Sequence, residues 1–169
     1  MRLRRAGHVA TRPLNCGVRR HVKLIDLLGR HLKDDAVIDL LEAGDMRVVY
    51  EFDRLHENSP DHYYSESFSR GFALRFNEEQ ILGTVFCYPS RTDSFAPVER
   101  GLVGVPFYES IATAEAAARK LGAKFVRRDG VPGLGRIVSW LRLEQDQRLW
   151  HFEYSNNVLT LVTLMLPNQ

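Results

Sequence analysis

The sequence predicts an α+β fold: two tandem helix-plus-antiparallel-meander units that form a mostly antiparallel sheet packed against helices. Three observations predict it. A stretch of helical apolar spacing closed by glycine occurs twice, over residues 23–43 before Gly44 and over residues 113–121 before Gly122. Each is followed by segments in which apolar and polar side chains alternate, the period of a strand. Short polar stretches such as Asn77-Glu78-Glu79-Gln80 join those segments, as the turns of a meander do. The boundaries that follow are a disordered basic extension over residues 1–21, a first helix-plus-strand unit over 22–100 and a second helix-plus-three-strand unit over 101–169, the last two forming one compact body.

In the first unit Leu24, Ile25, Leu27, Leu28 and Leu32 lie at helical spacing, and Val37, Ile38, Leu40 and Leu41 continue it. An N-cap at Asp34 or Asp35 divides the stretch into two short helices meeting near Lys33, the second ended by Gly44 as a C′ residue. Residues 47–52 have strand character. Residues 53–64, with Asn58-Ser59-Pro60-Asp61, have the turn chemistry of an exposed loop. Phe72, Leu74 and Phe76 alternate with Ala73 and Arg75, a half-buried strand, whereas residues 81–88 are apolar on both parities and predict a central one.

Residues 89–106 scatter Ser, Thr, Asp, Gly and Pro and read as the connection between halves. The run Ala114-Glu115-Ala116-Ala117-Ala118-Arg119-Lys120 has the highest helix propensity in the chain, with cations in the last turn where the helix dipole favours them. Its small alanines allow close approach to a sheet. Strands are expected over 136–144, 148–154 and 158–166, joined at Asp146-Gln147 and Ser155-Asn156-Asn157. Trp150, Phe152 and Tyr154 share one face of the middle strand, opposite the more polar Leu149, His151 and Glu153.

The chain has 169 residues, 44 % of them hydrophobic, enough to bury a core without staples. Cys16 and Cys87 cannot build a disulfide framework, which fits a reducing compartment, and no run approaches the ~18 apolar residues of a membrane span. A cytoplasmic location without membrane contact is expected. The net charge of +2 conceals an asymmetry, because residues 1–21 hold six arginines and no acid. The remainder carries 17 basic against 21 acidic residues, so a nucleic-acid partner has no basic surface to meet outside that extension. Residues 1–21 also lack an apolar signal core and read as an extension upstream of a start at Val22.

Candidate chemistry is sparse. None of the six histidines pairs with another at helical i, i+4 spacing or stands near paired cysteines, so neither a metal nor another cofactor is expected. His56 and His62, flanked by Glu57, Asp61 and Glu66, are the one grouping that could form a mixed metal or acid–base cluster, and they read first as solvated loop residues. Gly130-Val131-Pro132-Gly133-Leu134-Gly135 contains proline and leads into a strand, so it reads as a flexible loop and not a phosphate cradle. Lys124, Arg127 and Arg128 beside it form the compact basic cluster of the body. There is no Gly-x-Ser-x-Gly, and Cys87 falls on a buried strand where a thiol is inert. Glu51, Asp53, Glu57, Asp61, Tyr63, Tyr64 and Glu66 combine carboxylates with tyrosines, the composition of a recognition surface.

Gly104-Val105-Pro106-Phe107 with Ser110, a helix ending Lys120-Leu121-Gly122, and then Ser139-Trp140-Leu141, Trp150-His151-Phe152-Glu153-Tyr154 and Val158-Leu159-Thr160-Leu161-Val162 form a pattern that resembles the β-lactamase-inhibitor-protein-like fold. Tyr63-Tyr64, Gly71-Phe72-Ala73-Leu74-Arg75-Phe76 and Ile81-Leu82-Gly83-Thr84-Val85-Phe86 are similar to small cytoplasmic immunity proteins encoded beside bacterial polymorphic or type VI secreted toxins. The resemblance covers residues 22–166. It departs at Ala123, where proline is usual, and it carries no binding residues over to this chain.

What the resemblance implies is a non-enzymatic immunity protein, monomeric or homodimeric, that neutralises a cognate toxin or effector by protein–protein contact. The acidic, tyrosine-bearing set from Glu51 to Glu66 is then the expected partner surface. The alternative expectation is a small enzyme or ligand-binding domain using the His56/His62 region.

Overall fold

The computed structural model describes residues 22–52, 60–133 and 136–167. Residues 1–21, together with Asp53, His56, Glu57, Leu134 and Gly135, lie outside the described residues.

Among the described residues the architecture is α+β, with three α-helices, one 3-10 turn and one antiparallel sheet of eight strands. Leu24–Leu27 form a 3-10 turn and Asp35–Ala43 form α1; the strands β1 (Val48–Glu51), β2 (His62–Ser67), β3 (Phe72–Phe76) and β4 (Leu82–Cys87) follow. After α2 (Arg100–Val103) and α3 (Ile111–Lys120) come β5 (Lys124–Gly133), β6 (Arg136–Gln145), β7 (Arg148–Ser155) and β8 (Val158–Met165). The sheet order is β1-β2-β3-β4-β8-β7-β6-β5, every neighbouring pair antiparallel. The strands β4 and β8 thus occupy the middle, as the two-sided apolar pattern of β4 predicts.

Several local expectations hold for stated reasons. The Asp34 carboxylate accepts from the Ala36 amide at 3.0 Å and caps α1. A cap outside those expectations starts α3 at Ile111, two residues before the expected Thr113: the Ser110 hydroxyl accepts from the Thr113 amide at 3.2 Å while the Ser110 amide donates to the Thr113 hydroxyl at 3.1 Å. Both late hairpins turn on two residues of positive φ, Asp146 (50°) with Gln147 (57°) and Asn156 (51°) with Asn157 (63°), the geometry that matches strand twist.

Other expectations are corrected. The first helix is a single 3-10 turn, because from Gly29 onward the backbone pairs with the start of β4 instead of continuing: the Gly29 amide donates to the Leu82 carbonyl and the Leu82 amide to the Arg30 carbonyl. Gly44 is the C-cap itself, at φ −100°, and the positive φ falls on Asp45. Residues 62–64 are strand, not loop. Gly130 to Gly133, expected in a flexible loop, belong to β5, which pairs with β6 as a fourth strand of the second meander. The 89–106 connection contains α2 and buries Phe95, Val98, Val103 and Val105.

The core lies on one face of the sheet. Leu74, Phe72, Val85, Cys87, Leu164, Val162, Phe152, Leu141 and Leu143 are fully buried there with Leu24, Leu27, Val37 and the helix residues Ala114 and Ala118. The alanines, one turn apart on α3, bring its backbone close to β5 and β6.

Candidate interaction face

Opposed residues in an antiparallel pair project from the same side, so the registers trace rows across all eight strands. On the face away from the core, one row runs from Val49 through Tyr64, Arg75, Thr84, Met165, Leu149 and Glu144 to Lys124. A second runs through Glu66, Ala73, Phe86, Thr163, His151, Arg142 and Val126, and a shorter third through Leu161, Glu153, Trp140 and Arg128. Acid, base and aromatic side chains are interspersed with aliphatic and small ones along these rows. Tyr64, Phe86, Trp140 and His151 are half-buried.

Trp140 stacks on His151 at 5.2 Å and 30°. Burial, reinforced by the charge of Arg142, lowers the His151 pKa below its ordinary value, so the ring is neutral under its aromatic neighbour. Tyr64 meets Phe86 at 6.4 Å, and burial, with Tyr88, Glu66 and Glu51 nearby, pushes its hydroxyl up to about 12. Neither group carries charge at neutral pH.

The expected partner set divides between the two faces. Glu51, Tyr64 and Glu66 come together with Arg47, Val49 and Phe68 around a shallow concavity at the β1–β2 end of the outer face. Glu51 holds His62 there, Oε2 to Nε2 at 2.8 Å. Tyr63 points the other way, opposite Phe76, and packs against the core. Asp61 accepts a hydrogen bond from the hydroxyl of Tyr50, and chiefly through that bond the Tyr50 pKa is raised to about 12. Asp53 and Glu57 lie outside the described residues, as does His56, so the His56/His62 grouping is represented by His62 alone.

The basic cluster divides likewise. Arg127 faces the core side of β5, where its guanidinium contacts Glu115 of α3 at 2.6 Å and Asp129 at 2.7 Å. Lys124 and Arg128 lie on the outer face. Cys87 is buried, and burial pushes its thiol well above the usual range, out of reach of thiolate chemistry at neutral pH. Among the described residues no group of three His, Cys, Asp or Glu side chains converges to hold a metal ion, and no helix is long and apolar enough to cross a membrane.

Sequence reasoning singles out the acidic stretch but not Arg75, Phe86, Trp140, Arg142 or His151 as members of one surface. The signal was strand parity: these residues alternate with the fully buried positions, but only the registers place them side by side. The chain matches no protein family, curated protein or solved structure.

Proposed function

We propose that this is an immunity-type binding protein that neutralises a cognate bacterial toxin or secreted effector in the cytoplasm, with the outer face of the sheet as its contact surface. The observation that carries the reading is that face itself, where Tyr64, Phe86, Trp140 and His151 lie half-buried among Arg75, Arg142, Glu66 and Glu153 on the side away from the core. Rigid aromatics set among arginines and carboxylates are what protein interfaces use as anchors and rim. Occlusion of a toxin needs shape and charge complementarity and no cofactor. The acid-rich β1–β2 concavity suits a basic patch on the partner.

The tandem-unit architecture belongs to the same proposal. Each half, 22–100 and 101–169, places a helix before a four-stranded meander, and the halves meet through the fourth strand of each, β4 against β8. Such an arrangement is what two copies of one unit related by a local two-fold produce, and it supports the resemblance to inhibitor-like repeats.

The test is a binding titration against the product of the adjacent toxin gene, with circular dichroism alongside. Trp140→Ala and, separately, Glu51→Lys/Glu66→Lys are expected to keep the fold and weaken binding at least tenfold, through a lost anchor and through like-charge contact respectively. Unchanged affinity in both, or an isolated gene whose neighbours encode no toxin, overturns the reading.

A further inference from the structure

The two edges of the sheet are β1 and β5, and they are built differently. Native edge strands avoid pairing with other chains by carrying charge, proline or a bulge. The strand β5 has all three: Lys124, Arg127 and Arg128, a register shift between Arg128 and Val131, and Pro132. The strand β1 reads Val48-Val49-Tyr50-Glu51, pairs with β2 without a shift, and has neither lysine nor proline. Val48, Val49 and Tyr50 are 37 %, 55 % and 48 % exposed, so this edge presents apolar side chains as well as the outward N–H and C=O groups of alternate residues.

We propose that β1 pairs antiparallel with β1 of a second copy, about a two-fold axis passing beside Val49, and so joins two sheets into one of sixteen strands. The choice of a second copy rests on charge self-complementarity. In this register Val49 faces itself, Val48 faces Tyr50, and Arg47 faces Glu51 at both ends. Arg47, Val49 and Glu51 line one concavity on the outer face, so the opposed charges lie on the same side of the joined sheet. Among the described residues the Arg47 guanidinium has no ion pair, while Glu51, in contact with His62, is exposed enough to take a guanidinium as well. A register centred on Val48 would set Asp45 against Glu51, and one centred on Tyr50 would set Glu51 against Val49. Only the Val49 register matches charge with charge within the described residues. A two-fold normal to the sheet keeps inner and outer sides distinct, so the outer faces of both copies become continuous.

This inference does not rest on the toxin reading, and its test contains no toxin. Sedimentation velocity on the full chain, up to about 100 μM, covers the range in which so small an interface fills. The expected result is a doubling of mass as concentration rises, with β1 amides gaining protection from hydrogen exchange in parallel. Val49→Lys sets two ammonium groups against each other, and Arg47→Glu sets carboxylate against carboxylate; each is expected to leave a folded monomer by circular dichroism. The double change Arg47→Glu/Glu51→Arg restores opposite charges and is expected to restore the dimer. A wild-type chain that is monomeric throughout, a dimer that survives Val49→Lys, or a double variant that stays monomeric although folded overturns the proposal. Mass that rises only on adding a different protein also overturns it, and assigns the edge to a foreign strand.

Discussion

The hydroxyl of Tyr154 donates to the backbone carbonyl of Tyr108 at 3.1 Å. That bond ties β7 to the connection that leads into α3, and the Tyr108 ring meets Phe152 edge-on at 5.2 Å beside it. Both β7 side chains are essentially inaccessible, Phe152 fully and Tyr154 at 1 %. Tyr154→Phe keeps the ring and leaves the Tyr108 carbonyl unpaired, so a loss of about 1–2 kcal/mol is expected. Phe152→Ala opens a cavity at the centre of the core and is expected to cost about 3–5 kcal/mol. Urea denaturation of the two variants checks the order; equal losses would contradict the packing described.

Stability should hold a plateau in pH and fall on both sides. Burial raises the pKa of Tyr154, Tyr64 and Cys87 above ordinary values of 10.0 for tyrosine and 9.0 for the thiol. The native chain therefore keeps these protons where the unfolded chain releases them, and their contribution is whole below about pH 9 and lost as pH rises toward the folded values, about 12 for Tyr64. His151 shifts the opposite way, down from 6.5, so its contribution is whole above that value and lost as pH falls. Melting temperature followed from pH 5 to pH 11 is the measurement, with His151→Gln flattening the acid limb.

Gly71 and Gly122 both have positive φ, 72° and 65°, yet their substitution should differ sharply. A Cβ on Gly71 would sit 2.1 Å from the Ala96 carbonyl oxygen and 2.6 Å from the Val98 amide nitrogen, whereas Gly122 has nothing within 4 Å. Gly122→Ala carries only the left-handed backbone penalty, about 1 kcal/mol. Gly71→Ala must also displace the 96–98 backbone from the β2–β3 turn, and an expected loss beyond about 3 kcal/mol in thermal denaturation separates the two cases.

At the β6–β7 turn the gain runs the other way. Gln147 adopts φ 57° as the second turn residue, where glycine is free of strain. Gln147→Gly is expected to raise stability by about 0.5–1 kcal/mol. A lowered melting temperature would show that the Gln147 side chain contributes more than its backbone costs.

What the sequence revealed was whatever followed a single period. β3 and β7 are legible from an apolar parity opposed to a more polar one, β4 because it is apolar on both, and Asp34 because a capping carboxylate before an apolar stripe has few other uses. β2 escaped notice because its buried parity holds hydroxyls: Ser65 and Ser67, at 1 % and 3 % exposure, occupy positions where the alternation calls for apolar residues. β5 escaped because Arg127 points toward the core side with Glu115 as its counterion, a compensation supplied by a helix twelve residues earlier. The interaction face was half legible. Glu51, Tyr64 and Glu66 were found as a composition, but their union with Trp140 and His151 depends on the β4–β8 pairing, a relation between segments that no local pattern encodes.

That pairing also governs how the molecule comes together. Thr84 to Cys87 are matched with residues about eighty positions later, so the widest separation between paired strands must close before the middle of the sheet exists. Each meander is held by near-neighbour hairpins and can organise early, whereas the seam between them belongs to the slow, late part of folding. During synthesis β4 waits with one edge bare until β8 has been made. In that interval the central strand, apolar on both sides, is the segment most open to capture by a chaperone or by another nascent chain.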